Sequence, residues 1–139
     1  MTISHDLLRL KLAESLASAP PALTRREVRL PGIRGKALAV IGVRRGGKTS
    51  FLRQCQLDRL ADGRVSESQL LLSLEDERLT GMTVADLAWL LDEHARQYPG
   101  LRESGAVTLY LDEVQIVPGW EGLVRRLVDA GGVELFVSG

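Results

Sequence analysis

The chain has little of several things. It holds one cysteine, two histidines, two each of Trp, Tyr and Phe, and no asparagine, and its eighteen basic side chains are cancelled by eighteen acidic ones. A lone thiol, Cys55, forms no internal disulfide, which fits a reducing compartment, and its place on a helix face reads as a small buried hydrophobe. His5 and His94 lie far apart with no cysteine cluster beside them, which excludes a His/Cys metal set. Zero net charge removes the global basic field of a nucleic-acid binder. Arg25, Arg26, Arg29, Arg125 and Arg126 would give a local basic face only, without interleaved aromatics, so nucleic acid is a weakly supported partner. No apolar run approaches the roughly 20 residues that cross a bilayer. The opening MTISHDLLRLKLAES has acids and polar residues where a signal peptide would be basic and then apolar. The expectation is a soluble, cytoplasmic protein with no membrane contact.

What is present is an ordinary globular composition. With 139 residues, 45% of them hydrophobic and 26% charged, the chain suits one domain that buries about two-thirds of its unfolded surface. Ile3, Leu7, Leu8, Leu12 and Leu16 recur at helical spacing until Pro20-Pro21. ALAVIG (37–42) reads as a buried strand, and Phe51, Leu52 and Cys55 begin a helical face that continues to Leu60 before Gly63. QLLLSL (69–74) is a second strand. Thr83 and Asp86 then have the form of a capping box ahead of the stripe Val84, Leu87, Ala88 and Leu91. AVTLYL (106–111) and VELFV (133–137) are two more strands, separated by a helical face of Trp120, Leu123, Val124, Leu127 and Val128. Strands alternating with helices predict an α/β fold, a parallel sheet with helices on both faces.

The segment GVRRGGKTS (42–50) joins the first strand to the next helix. Its first eight residues fit G-x-x-x-x-G-K-[ST], with Gly42, Gly47, Lys48 and Thr49 in the fixed positions. Glycines let the backbone wrap a phosphate, and the following helix adds the positive end of its dipole. The nucleotide-binding set is therefore Gly42, Val43, Arg44, Arg45, Gly46, Gly47, Lys48, Thr49 and Ser50. Lys48 is the catalytic point charge on the β- and γ-phosphates, and the Thr49 hydroxyl is a magnesium ligand. Arg44 and Arg45 either lean over the phosphates or a neighbouring subunit, or are solvated. Such a loop needs an acid at the end of another parallel strand. Asp112 and Glu113 follow AVTLYL at the carboxyl edge, where open α/β sheets bind ligands. Asp112 is expected to hold Mg2+, mainly through its water shell, and Glu113 to polarise the attacking water.

GVRRGGKT together with LYLDEVQ resembles the AAA+ branch of P-loop ATPases. GVRRGGKTSFL, SLEDERL and YLDEVQIVPGWEGLVRRL are similar to a prokaryotic family of AAA-type ATP-binding proteins with an extra C-terminal domain. The resemblance covers roughly residues 25–139 and matches Lys48 and Thr49 to Walker A and Asp112 and Glu113 to Walker B. It implies a polar sensor just after the fourth strand's Ser-Gly, arginines farther on, and a fifth strand beside the first. All three would lie beyond Gly139, so the expected organisation is a helix and linker at 1–30 and an ATPase core at 31–139, truncated after its fourth strand, with an incomplete sheet.

The guanine-reading Asn/Thr-Lys-x-Asp element is absent, which favours ATP. Three functions follow as expectations: a magnesium-dependent ATPase driving a partner domain or homo-oligomer, a nucleotide-binding regulatory fragment with little turnover, and a DNA-associated or toxin–antitoxin-like ATPase whose specificity lies in further C-terminal sequence. The resemblance makes Gln115 a γ-phosphate sensor, against a plain surface residue; the EDER run (75–78) reads as a solvated turn, or as acids that help place a nucleic-acid or peptide partner, and Trp120 as core.

Overall fold

A computed structural model describes residues 3–17, 37–40, 47–104 and 107–138, with the side chains at 17, 37–40 and 47–50 outside that description. In chain order the elements are α1 (His5–Ala17), β1 (Ala37–Val40), α2 (Gly47–Ala61), β2 (Gln69–Ser73), α3 (Val84–Gln97), β3 (Val107–Asp112), α4 (Trp120–Ala130) and β4 (Val133–Ser138). This is the alternation that the periodicity predicts. The four strands form one sheet in the order β1-β4-β3-β2, and every pairing is parallel.

The order carries a functional consequence. The chain leaves β1 for the far strand β2, then steps back through β3 to β4, which lies next to β1. Parallel crossovers are right-handed, so reversing the direction of travel puts the connecting helices on opposite faces. Leu70, Leu72, Leu109, Leu111, Leu135 and Val137 point to the face that shares a core with α1, α3 and α4. Leu71, Tyr110 and Phe136, the alternate residues, point to the other face and pack on Leu52 and Cys55 of α2. A winding reversal leaves a crevice at the carboxyl ends of the strands, the usual ligand position in open α/β sheets.

Local signals explain the helix limits. Asp86 reaches back despite being shorter than Glu: its Oδ2 accepts from the Thr83 backbone N–H and Thr83 Oγ1 accepts from the Asp86 N–H, both at 3.1 Å. At the other end of α4, Gly132 (φ +80°) packs so closely that an added Cβ would lie 2.5 Å from the Arg102 carbonyl oxygen. Gly132→Ala therefore meets both a left-handed backbone and a clash, and is expected to lower stability by about 1–3 kcal/mol in urea titration.

The face beneath α2 holds an unexpected polar layer. Arg59 donates from Nε and Nη2 to the two carboxylate oxygens of Glu134 at 2.8 and 2.9 Å. Both side chains are buried, at 9% and 4% exposure. Thr108 donates to Glu134, Gln69 donates to Thr108, and Tyr110 donates to Gln69, so the chain of bonds crosses β4, β3 and β2. Gln56 of α2 donates to the Gln69 carbonyl at 3.1 Å. Arg59 also lies over the Phe136 ring, 5.0 Å from its centroid, and Phe136 stacks on Tyr110.

Candidate phosphate and metal site

The polar layer fixes where α2 begins. Its last turns are tied to Glu134, the second residue of β4, and to Gln69, the first residue of β2. Both partners sit at the amino ends of their strands, so α2 runs back toward the carboxyl ends as it is traced to its start. Twelve residues from Arg59 to Gly47 rise about 18 Å. From Glu134 to Ser138 β4 advances about 13 Å. Gly47, Lys48, Thr49 and Ser50, the first turn of α2, therefore lie at the level of the strands' carboxyl ends. Gly42, Val43, Arg44, Arg45 and Gly46 are outside the described residues, as are Arg25, Arg26 and Arg29.

On the same face, β3 and β4 end one residue later than the apolar runs suggest. Asp112 is the last residue of β3, in register with Ser73, and Ser138 is the last of β4. By alternation with Tyr110 and Phe136, Asp112 and Ser138 face α2. Asp112 is 3% exposed and Ser138 1%. Ser138 Oγ donates to Asp112 Oδ1 at 2.5 Å and accepts from the Glu113 backbone N–H at 3.3 Å. With β4 between β1 and β3, the strand leading into the loop and the strand ending in Asp112 are about 9.5 Å apart.

Glu113 turns away from the strand. Its backbone is left-handed (φ 60°, ψ 43°), the only such non-glycine among the described residues. That conformation costs roughly 1–2 kcal/mol for a residue with a Cβ. Gln115, exposed as one reading has it, donates from Nε2 to Glu113 Oε2 at 2.6 Å. Asp112 and Glu113 thus differ in surroundings: one lies in a nearly closed slot, the other is partly exposed.

A magnesium ion fits this donor set on chemical grounds. Among the described residues no three His, Cys, Asp or Glu side chains converge as a metal cage. A buried carboxylate at a strand end, opposite a helix start, is the sparse oxygen set that Mg2+ uses when phosphates and water complete its octahedron.

Other sequence readings resolve plainly. Cys55 is buried, and burial pushes its thiol up to about 11, so it stays protonated. His94 is buried too. Its Nε2 lies 2.7 Å from the Glu67 carbonyl oxygen, and burial pushes its pKa down, as suits a neutral core imidazole. Trp120 is half-buried against the main core, and Arg125 and Arg126 are exposed on α4.

The EDER run is the charged turn expected, exposed at Glu75, Glu77 and Arg78, and two of its residues also pair with α1. Arg78 pairs with Glu14 through two bonds of 2.7 and 3.2 Å, and Lys11 pairs with Asp76 at 2.9 Å, which ties α1 to the end of β2. Bonds from Arg78 and then Lys11 hold the Asp76 carboxyl far below the usual carboxylate range. Ser138 and the Arg59–Glu134 pair were not legible as functional or structural polar positions from apolar runs. The signal that marks them is a polar residue at alternate positions of otherwise apolar strands, Thr108 and Glu134 among them.

The family described as "AAA domain" matches residues 34–139. An uncharacterized protein of Methanocaldococcus jannaschii is 32% identical over 114 residues, which are 82% of this chain and 23% of the relative. The chain therefore spans under a quarter of that relative's length. No solved structure matches. No helix among the described residues is long and apolar enough to cross a membrane.

Proposed function

The chain belongs to the AAA domain family, and we propose that it binds ATP with Mg2+ and hydrolyses it to ADP and phosphate. The observation that carries the proposal is the shared face: the first turn of α2, with the sequence Gly47-Lys48-Thr49-Ser50, starts at the strand ends on the side that Asp112 faces. In this reading, residues 42–50 enclose the phosphates through backbone N–H groups, and Lys48 supplies the ammonium. Thr49 and Asp112 would hold the metal, which when bound neutralises charge on the β- and γ-phosphates. Glu113, outside the buried slot, accepts the proton of the attacking water.

The ATPase core in this proposal is residues 31–139, with 1–30 as helix and linker, and the nearer kinship is to prokaryotic AAA-type ATP-binding proteins with a further C-terminal domain. Nucleotide-driven movement of such a domain, or of a neighbouring copy in a homo-oligomer, is the work the module would perform. A cytoplasmic setting suits the single reduced thiol. A second reading, a nucleotide-holding module with slow turnover, is supported by the Gln115 amide, which occupies one oxygen of Glu113.

Lys48→Ala tests the phosphate site. Loss of a charge-assisted bond is expected to weaken ATP binding about 10–100-fold in calorimetric titration. Unchanged affinity would remove the loop from the site.

A further inference from the structure

We propose that Ser138 is a positioning residue for the metal site, aligning the Asp112 carboxylate and the Glu113 turn with one hydroxyl; the inference rests on the ATP and Mg2+ reading above. A serine hydroxyl has one hydrogen and two lone pairs. At Ser138 both capacities are used on consecutive residues, Asp112 at the end of β3 and Glu113 just after it. The proton goes to Asp112 Oδ1, and a lone pair takes the Glu113 backbone N–H. The first bond selects one orientation of the Asp112 carboxylate in a slot where water has little access, because Asp112 and Ser138 are 3% and 1% exposed. The second bond engages the Glu113 backbone N–H at the point where the chain leaves β3 in a left-handed turn. A single oxygen thus couples the metal-holding acid to the residue that polarises water.

Position in the sheet explains why β4 supplies this group. β4 lies between β1 and β3, so the end of β4 stands between the strand that enters the phosphate loop and the strand that ends in Asp112. A side chain there contacts β3 without leaving the sheet's own framework, and its backbone is already fixed by pairing with β1 through Val40. Ser138 makes no step of the reaction itself. It acts through Asp112 and Glu113.

The test is the metal dependence of nucleotide affinity, read by a fluorescent ATP analogue titrated in EDTA and across a Mg2+ series. Ser138→Ala is expected to leave affinity in EDTA unchanged and to raise the Mg2+ concentration needed for half-maximal tightening about tenfold. Ser138→Thr, which keeps the hydroxyl and suits a strand, should restore the parental metal response. Ser138→Cys, nearly the same shape but a weak donor, should fall between them and serves if the alanine chain folds poorly.

A Mg2+ response equal to the parent's in the alanine and cysteine chains, while Asp112→Asn shifts it, would overturn the role of Ser138 and leave the metal site standing. A parent chain whose analogue affinity ignores Mg2+ would instead overturn the metal reading itself, and this inference with it.

Discussion

A Glu113→Gln chain is expected to bind ATP with parental affinity and to release phosphate about 10²–10⁴-fold more slowly, the range supplied by a positioned general base. The substitution keeps the size of the side chain and removes only its ability to take a proton. The structure gives reasons to separate Glu113 from Asp112 in this way. Asp112 ends a strand in a nearly closed slot and is bonded by Ser138, whereas Glu113 turns out of the strand in a left-handed conformation and is partly exposed. A residue held in a costly backbone state beside a proposed phosphate site is a candidate for the step that needs water. Steady-state phosphate release, paired with analogue binding to the same preparation, checks the expectation. Turnover equal to the parent's would assign Glu113 to the turn alone and favour the slow, nucleotide-holding reading.

Glu134→Leu is expected to cost about 3–5 kcal/mol of folding stability, because it leaves the Arg59 guanidinium buried without its carboxylate. Arg59 ties α2 to the amino end of β4, and its two bonds to Glu134 are short and nearly equal. Replacing both partners, Arg59→Met with Glu134→Leu, should recover most of the loss, since a buried pair and well-packed apolar residues are often close in free energy. A residual of about 1 kcal/mol is expected from the Thr108 hydroxyl, which loses the acceptor it has in Glu134. Urea denaturation of the two chains at neutral pH measures both values. A single substitution costing no more than the double would mean that the pair contributes packing and not charge compensation.

Much of the fold was open to a reading of periodicity. The alternation of helices and apolar runs gives the element order, and Thr83 with Asp86 marks the start of α3 because side-chain reach and spacing are local properties. Strand order is different. β4 inserts between β1 and β3 through contacts between segments far apart in sequence, and no local pattern specifies that insertion.

The apolar runs stop one residue short of the strand ends, because Asp112 and Ser138 are polar. They nevertheless pair in the sheet, and they are the two residues at which the sheet meets the candidate site. The layer from Arg59 to Tyr110 escaped for a related reason. A lone Glu134 or Thr108 within a strand reads as a minor exception until α2 brings Arg59 to it. The ion pairs made by the EDER turn have no local signal, because their partners, Lys11 and Glu14, lie more than sixty residues away. The loop at 42–46, which carries the most specific motif in the sequence, lies outside the described residues, so its assignment rests on the motif and on the placement of α2.

The most direct test is a crystal of the chain with a non-hydrolysable ATP analogue and Mn2+ in place of Mg2+, with the metal located by its anomalous signal. The account expects the phosphates against the backbone at residues 46–49 and the metal either bound directly to Asp112 at about 2.1 Å or one water away from it. A nucleotide lodged elsewhere on the sheet, or a metal peak with Asp112 beyond reach of a bridging water, would contradict it.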